Sequence, residues 1–511
     1  MSWINQRFPK TTQTLLKTSS RKMNRQDTDE RIMDGKRSLT VREKISYGLG
    51  AVGKDMVYML SASYVLYYYQ DILGVSAVAM GFILMAARVF DALNDPVMGM
   101  VVAKTKTRWG RFRPWLMAGT LTNALILCIM FAAPPALDGS GLVAYAAVTY
   151  ILWGVTYTMM DIPYWSMIPA FTSGGKEREG LTTLARSCAG AGSAIITVVT
   201  MICVQNLGRL TAGTDAAAKA VELSGFRYFS FIVAALFVLF ITLTCVNIRE
   251  SSTVDMQTAS VGEMFRALLQ NDQAMTVVVA IVCINCSVYI TSNLVIYFFK
   301  YDFGGSGWYN GYTIFNIFGG AVQIFSMMLF FPLLRKVFTS LKIFYIGIGM
   351  AVTGYGVLLL LAFTNMSSVY LLFIPAFFIF AACGMLTVLT TVFLADTVDY
   401  GELKNGRRDE SVIFSMQTFV VKLASGLAAF IASIALQVFS LSSEAASEAE
   451  QSMDFSAGVS AASKIGLRMT MTLIPAAGLL FAMLYFRKKF VLTDEKVDEI
   501  AAEIARKKNK G

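Results

Sequence analysis

The sequence predicts an all-α protein that crosses a membrane many times. The chain has 511 residues, of which 55% are hydrophobic and only 15% are charged. Mostly apolar runs of about 18 residues or more recur along nearly its whole length, as transmembrane helices require. Short segments of alternating polarity, which would predict a membrane β-barrel, do not recur in the sequence.

The apolar runs form two sets of six, which predicts two six-helix halves. The spans are expected at about 46–70, 78–102, 114–134, 141–169, 182–205, 227–248, 274–299, 309–333, 341–364, 367–395, 410–440 and 465–486. Two such halves around a site near the membrane midplane are typical of the major facilitator fold. The expected segments are a disordered cytoplasmic tail (1–44), an N-terminal bundle (45–249), a linker with an amphipathic helix (250–273), a C-terminal bundle (274–487) and a second cytoplasmic tail (488–511).

Charge in the loops predicts the orientation of the chain. The net charge is +10, but the basic residues lie in connections such as 104–113 and in the tails rather than in one patch. The connections 71–77, 134–141, 365–367 and 441–454 contain no lysine or arginine. Basic loops face the cytoplasm, so both termini are expected there, and the positive charge does not indicate a nucleic-acid partner.

Residue types restrict the chemistry further. The chain contains no histidine, which excludes imidazole proton relays and histidine metal sites, so carboxylates must carry any proton or cation chemistry. The seven cysteines are scattered through apolar spans and suggest no disulfide framework. Cys283 and Cys286 lie within one span, where packing is a better explanation than redox chemistry.

Ionisable residues within the spans mark the expected functional site. Such residues are costly in a bilayer and normally face a protein interior or a wet cavity. Four are basic and four acidic, so the set is formally neutral and suits pairing in one cavity. They are Lys54, Asp55, Arg88, Asp91, Asp95, Asp161, Arg186 and Lys422.

The second span carries a candidate cation site. Asp91 and Asp95 are four residues apart and share a helical face with Asn94, about 6 Å apart along the helix. A small hard cation such as Na⁺ prefers oxygen ligands, and Thr158 of span four offers a hydroxyl. Two alternatives stay open: the two carboxylates hold a proton instead, or Arg88 neutralises one of them in a structural pair.

The fourth span carries a candidate sugar site. Tyr157, Asp161 and Trp165 are spaced four apart and therefore lie on one face. A carboxylate accepts hydrogen bonds from sugar hydroxyls, and an aromatic ring covers the apolar face of a pyranose. The alternative is a buried salt-bridge network with packed aromatic residues. The further polar residues expected at this site are Arg186, Lys54 and Asp55.

Charged residues at two cytoplasmic helix ends suggest a gate. Arg178 lies at one end, and Asp396, Asp399 and Arg408 lie at the other. Ion pairs between them would close the cytoplasmic side during alternating access. The competing interpretation is a solvated loop with local pairs of little energetic weight.

Several long segments closely resemble the glycoside–pentoside–hexuronide:cation symporters of the major facilitator superfamily, over about 43–490. They are GKD at 53–55, ARVFDALNDPVMG at 87–99, TRWGRFRPW at 107–115, YTMMDIPYWSMIP at 157–169, DTVDYGE at 396–402 and QTFVVK at 417–422. The resemblance implies a bacterial inner-membrane symporter, not an enzyme, that moves a galactoside such as melibiose together with Na⁺, Li⁺ or H⁺. It implies no bound cofactor, and we expect a monomer.

The resemblance also implies the ligands. Its cation site consists of Asp91, Asn94, Asp95 and Thr158, with Na⁺ held by Asp91 and Asp95. Its sugar site consists of Lys54, Asp55, Arg88, Tyr157, Asp161, Trp165 and Arg186, with Thr418 and Lys422 from the second half. One departure concerns span ten, where a melibiose-transporting relative has a tryptophan in the sugar pocket. Here no tryptophan follows Trp308, so the sugar is not identified.

Two other functions are compatible with parts of the sequence. A proton-coupled carrier of another glycoside, pentoside or hexuronide fits the same scaffold. A membrane-embedded prenyltransferase also uses clustered aspartates, but its second cluster would have to be Asp396 and Asp399. These lie near a cytoplasmic helix end, whereas Asp91 and Asp95 lie near mid-span, so the two pairs would not converge.

Overall fold

The structure is helical, as the sequence predicts. The computed structural model describes residues 39–172, 175–213, 216–250, 261–305, 307–364, 366, 368–405, 410–441, 455–456 and 458–508. Within these ranges the one β pairing is an isolated bridge between Thr107 and Gly110.

Twelve long helices make up the bundle. Their bounds are α1 Val41–Tyr67, α2 Ala77–Lys104, α3 Arg113–Met130, α4 Gly139–Ser166, α5 Gly175–Ala212, α6 Ala218–Asn247, α7 Asp272–Tyr297, α8 Trp308–Phe325, α9 Ser340–Thr364, α10 Phe373–Asn405, α11 Glu410–Val438 and α12 Ala461–Lys489. Eleven helices of the described chain, α2–α12, are long and apolar enough to cross a membrane. Helix α1 is more polar, since it contains Lys54 and Asp55, but it packs against α5 and α6 as the twelfth span.

Shorter helical segments extend or connect these helices. π-helical turns continue α1, α7 and α8 over Tyr68–Ile72, Phe298–Phe303 and Ser326–Phe330. Short helices lie at Ile168–Phe171, Phe331–Arg335 and Val369–Leu372. A linker helix (Val261–Gln270) precedes α7, and a C-terminal helix (Asp494–Lys508) follows α12.

The two halves pack by the same pattern. In the first half the pairs α1/α5, α1/α6, α2/α4, α3/α4 and α3/α6 are in contact, and the corresponding pairs six helices later are in contact in the second half. The halves meet through α2/α11 and α5/α8, which are related by the same shift. The major facilitator fold predicted from the sequence, with two halves of six helices, is therefore confirmed.

The ends of the bundle can be distinguished by topology. The bundle has twelve crossings, an even number, so the start of α1 and the end of α12 lie at the same end, called here the terminal end. The linker helix and the C-terminal helix lie there as well. We call the opposite side the far end; the last turn of α1 and the last turn of α7 meet there.

Side chains define where several helices begin. A capping box starts α1: Thr40 accepts a hydrogen bond from the backbone N–H of Glu43 (3.3 Å), and the Glu43 carboxylate accepts one from the N–H of Thr40 (2.9 Å). This helix begins within the expected 1–44 tail, whose residues 1–38 lie outside the described ranges. Glu250, after α6, accepts hydrogen bonds from three successive backbone N–H groups that precede and open α3. It thereby satisfies donors that a helix start leaves unpaired.

Polar contacts fasten the linker and the C-terminal helix to the second half. Asn271 caps α7 by accepting a hydrogen bond from the N–H of Ala274 (3.0 Å), and it donates to the carbonyl of Thr397 on α10 (2.8 Å). Asp494 accepts hydrogen bonds from Arg335 (2.7 Å) and from the N–H of Ser340. Partial burial opposes ionisation of Asp494, but these hydrogen bonds hold its pKa below the ordinary value.

Close packing of α3 on α4 gives a prediction about stability. A Cβ added at Gly119 would lie 2.8 Å from the backbone nitrogen of Met160, and backbone atoms cannot move aside as a flexible side chain can. We expect Gly119→Ala to destabilise the purified protein by about 2 kcal/mol, because overpacking forces the helices apart. Thermal unfolding in detergent measures this. Gly190→Ala is the control, since a Cβ there meets nothing within 4 Å; equal melting temperatures for the two variants would contradict the prediction.

Candidate functional site

The predicted sugar residues of α1 and α4 come together in the interior. The ammonium of Lys54 lies 2.8 Å from Asp161 Oδ1 and 2.7 Å from Asp55 Oδ1. Lys54 is 3% exposed, whereas the Asp161 side chain is 29% exposed. A buried ammonium thus holds two carboxylates, one of which remains open to a ligand.

Trp165 lies beside these two carboxylates, and two positively charged groups lie over its ring. Its indole N–H donates to Asp161 Oδ1 (3.2 Å), which fixes the ring orientation. The Arg186 guanidinium lies 4.0 Å from the ring centroid and the Lys54 ammonium lies 4.9 Å from it, both at cation–π distance. Because Arg186 is exposed, it can move from the ring without breaking a packed core.

Two further groups complete the walls of this cluster. Lys54 also donates to the Tyr157 hydroxyl (3.4 Å), and the Tyr157 ring stacks on Trp153 at 5.2 Å between centroids. Ser193 on α5 donates to Asp55 Oδ2 (3.3 Å). Sequence reasoning did not identify Ser193, because a lone serine in an apolar span gives no signal of its own.

The predicted cation residues form a second cluster, between α2, α4 and α11. Asp95 Oδ1 accepts a hydrogen bond from the Thr158 hydroxyl (3.1 Å), and Asp95 Oδ2 pairs with the ammonium of Lys422. Asp91 Oδ2 lies 3.7 Å from the Arg88 guanidinium. Asp91 is 5% exposed, and its Oδ1 is buried with no hydrogen-bond partner. Asn94 is half-buried on the same helix.

Arg88, Lys422 and Thr418 have distinct surroundings. Arg88 is buried, with its guanidinium 5.6 Å from the Tyr58 ring, and it belongs to the cluster of Asp91. Lys422 forms an ion pair with Asp95. Thr418 lies one turn before it on α11 and is exposed.

Helix α4 joins the two clusters. Tyr157 and Thr158 are consecutive, so their side chains point about 100° apart, one toward Lys54 and the other toward Asp95. Pro163 lies within α4, between Asp161 and Trp165. A proline in a helix has no N–H to donate, so the helix lacks one of its backbone hydrogen bonds here.

The predicted gate is described only in part. Asp396 and Asp399 are half-buried near the terminal end of α10, and the charged groups around Asp396 include Asp494 and Arg335 of the same half. The side chains of Arg178 and Arg408 lie outside the described part of the chain. Pairing between the halves at this end therefore stays a prediction.

A third charged cluster was not anticipated from the sequence. At the far end Lys300, which follows α7, lies 2.5 Å from Asp71 and 3.8 Å from Glu222, and all three are almost fully buried. Each lies just outside a predicted span, where a charged residue normally reaches water or headgroups. They are buried by the packing of two π-helical turns against the start of α6 and by the rings of Trp308 and Phe455.

Comparisons with known proteins agree with this architecture. The model of the MFS/sugar transport protein family matches residues 46–493. The lactose permease of Lactobacillus delbrueckii subsp. bulgaricus is 27% identical over 90% of this chain and 72% of its own length. A putative glycoside/cation symporter of Escherichia coli K12 is 30% identical over 75% of this chain and 80% of its own.

Solved structures share the fold. A D-xylose–proton symporter superposes with a TM-score of 0.59 at 16% identity, covering 88% of this chain and 98% of its own. A nucleoside transporter gives a TM-score of 0.61 at 12% identity, covering 88% of this chain and the whole of its own.

The family match over nearly the whole bundle and the sugar-transporting relatives agree with the resemblance in the motifs. The chain is a transporter rather than an enzyme, and it belongs to the MFS/sugar transport protein family, with the glycoside–pentoside–hexuronide:cation symporters.

Proposed function

We propose that this protein moves a galactoside-type sugar into the cell together with Na⁺, with Li⁺ or H⁺ as substitutes, by alternating access. The observation that carries the proposal is the position of Tyr157 and Thr158 on α4: consecutive residues serve two polar clusters, one with the chemistry of a sugar site and the other with that of a cation site. Occupation of either cluster therefore acts on the same helix.

Charge balance supports one monovalent cation. Asp91 and Asp95 carry two negative charges, and Arg88 and Lys422 supply two positive ones. When Lys422 leaves Asp95, one positive charge is missing, and a single Na⁺ restores neutrality. The unpartnered Asp91 Oδ1, an oxygen of Asp95 and the Thr158 hydroxyl are ligands of the type Na⁺ prefers. The Asn94 side chain is a further candidate ligand on α2.

The sugar site would use the cluster around Asp161. The partly exposed Asp161 carboxylate accepts hydrogen bonds from two neighbouring hydroxyls, and Lys54 and Asp55 behind it fix its position. The Trp165 ring covers an apolar sugar face once Arg186 moves from it to a sugar hydroxyl. Thr418 contributes a hydroxyl from the second half.

Coupling follows from the position of Lys422. In the state described, its ammonium takes the place of the cation at Asp95. A cation that displaces it frees the Lys422 ammonium to donate a hydrogen bond to the sugar. Linkage then requires that sugar strengthen cation binding by the same factor.

The proposed orientation puts both termini in the cytoplasm of a bacterial cell, with the protein a monomer in the inner membrane. The basic connection 104–113 at the terminal end supports it by the charge-bias rule. A second candidate is proton coupling with a glycoside, pentoside or hexuronide as substrate. The close Asp91 and Asp95 carboxylates favour it, because two neighbouring acids retain one proton readily.

A transport assay tests the proposal. Right-side-out membrane vesicles that contain the protein should accumulate at least one labelled sugar from the panel melibiose, lactose, raffinose and a glucuronide. Accumulation should rise about tenfold or more when an inward Na⁺ gradient replaces a choline gradient, since Na⁺ entry then supplies free energy of more than about 1.4 kcal/mol. Sugar accumulation that is stimulated by an inward proton gradient and not by Na⁺ would support the proton-coupled alternative. No uptake of any member of the panel would contradict the proposed substrate class.

Removing one cation ligand gives a sharper test. Asp95→Asn should abolish Na⁺ stimulation of sugar binding, because the amide gives no charge to compensate Na⁺ dehydration. Equilibrium binding of labelled sugar with and without Na⁺ measures it. The control is Asp138→Asn, in the connection before α4 and outside both clusters. If Asp95→Asn keeps the full stimulation, the cation site is elsewhere.

The aromatic wall gives a prediction for the sugar alone. Trp165→Leu should weaken sugar binding about tenfold, the loss expected when a stacked ring worth about 1.4 kcal/mol is removed. Trp165→Phe should retain most of the affinity, because a ring remains. The fold increase in affinity caused by Na⁺ should stay unchanged in both. Trp109→Leu, in the exposed loop before α3, is the control for tryptophan loss; equal weakening by that variant would argue against stacking.

A further inference from the structure

The third cluster joins the two halves of the bundle at the far end. Asp71 follows α1 and Glu222 lies on α6, so both belong to the first half, whereas Lys300 follows α7 in the second half. The ammonium of Lys300 lies 2.5 Å from Asp71 and 3.8 Å from Glu222. The Tyr67 hydroxyl accepts a hydrogen bond from Lys300 (2.8 Å) and donates one to Glu222 (2.8 Å). One base of one half is thus enclosed by acids of the other.

Neighbouring polar groups strengthen this connection. The Tyr301 hydroxyl of the second half donates to Asp71. Gln70 of the first half donates to the carbonyl of Leu441 (2.9 Å) and accepts from the Tyr297 hydroxyl (2.9 Å), both in the second half. Gln205 on α5 donates to Glu222 (3.0 Å) and orients it within its own half.

Aromatic rings exclude water from the ammonium. Lys300 lies 4.4 Å from the ring centroid of Phe455, 4.8 Å from that of Tyr67 and 5.8 Å from that of Trp308. Asp71, Glu222 and Lys300 are 2%, 3% and 4% exposed. Attraction between charges is stronger in such a dry site than at a surface, and leaving a charge there without its partner is costly.

The middle of the bundle differs from its far end. Arg186 and Thr418, near the sugar cluster, are exposed, unlike the residues of the third cluster. Nearer the far end, the hydroxyl of Tyr312 on α8 lies 3.4 Å from that of Tyr64 on α1, so the two halves are in contact there. Asn316 lies one turn after Tyr312 on α8 and is half-buried. The described residues of the two halves are thus in contact at the far end.

We propose that Asp71, Glu222 and Lys300 form the latch that holds the far end shut, and that Lys300 must leave both acids before the site opens on that side. With the orientation proposed above, the far end is the extracellular entrance. The latch involves neither the sugar nor the cation, so its test is independent of the test of the proposed function.

The latch explains why both acids sit against a base of the opposite half. When the halves separate at this end, Lys300 and Asp71 become hydrated together, so neither is left as a buried single charge. Removing only Lys300 leaves two buried carboxylates in contact with the second half, and their hydration favours separation. Replacing all three charged groups by apolar residues removes the ion pairs between the halves without leaving a buried charge unpaired.

Labelling from a defined side tests the latch. The reporter is Asn316→Cys, read as labelling above the parent protein, whose native cysteines are retained. A membrane-impermeant maleimide is applied to right-side-out vesicles, and to inside-out vesicles in parallel. With the latch intact we expect slow labelling from the far-end face and fast labelling from the terminal face.

When Lys300→Met is added to the Asn316→Cys reporter, the rate at which the reporter is labelled from the far-end face should rise at least tenfold. The matched control is Asp302→Asn: Asp302 lies two residues away and pairs with Arg468 at 2.7 Å, but both belong to the second half. This variant should leave the rate within twofold of that with the latch intact. The triple variant Asp71→Leu, Glu222→Leu, Lys300→Met removes the ion pairs without leaving a charge unpaired, and it should also be labelled faster from the far-end face than the protein with the latch intact.

Two results would overturn the proposal. One is a far-end labelling rate in Lys300→Met equal to that with the latch intact. The other is an equal rise in Lys300→Met and in Asp302→Asn, which would mean that loss of any ion pair loosens the bundle. Because both readings use a thiol reagent and no sugar, failure of the transport assay does not affect them.

Discussion

The requirement that buried charges balance governs this bundle, and the ion pair between Asp95 and Lys422 is its central instance. Asp95 belongs to α2 and Lys422 to α11, the two helices through which the halves make much of their contact. Neither charge can remain alone at bilayer depth without a large penalty. The relative position of the halves is therefore linked to the charge state of the site, and this link is what a symporter needs.

The same arrangement recurs at the far end. There Lys300 of the second half meets Asp71 of the first, just as Lys422 meets Asp95 in the middle. In both places the second half supplies the base and the first half the acid. The proposed cation would replace Lys422 beside Asp95, where the Thr158 hydroxyl is a further oxygen. The two pairs are alike in charge but differ in exposure: the side chains of Lys422 and Asp95 are 21% and 22% exposed, whereas those of Lys300 and Asp71 are 5% and 0% exposed.

The sequence predicted the fold and which residues of α2 and of α4 share a helical face, because both depend on local spacing. Twelve apolar runs determine twelve helices, and a four-residue interval between Asp161 and Trp165 determines a shared face whatever surrounds it. What could not be predicted depends on contacts between distant segments. Burial of Lys300 and the pairing of Lys422 with Asp95 arise only when the two halves are packed together. Arg88 was expected either at the sugar site or beside one of the acids; it lies among Tyr58, Tyr150 and Asp91, and its part in sugar binding stays a prediction.

Pro163 has a mechanical consequence for α4. Because proline has no N–H, the carbonyl of Met159 receives no hydrogen bond from the residue four positions later, and the helix is less stiff against bending at that level. Trp165 lies beyond this point, and Tyr157 and Thr158 lie before it. Bending at Pro163 would tilt the Trp165 ring relative to Tyr157 and Thr158, and the contact of Tyr164 with Tyr47, whose rings stack at 4.4 Å between centroids, holds this last turn of α4 in its present orientation. One helix thus carries the contact with Asp95 on one side of Pro163 and the Trp165 ring on the other.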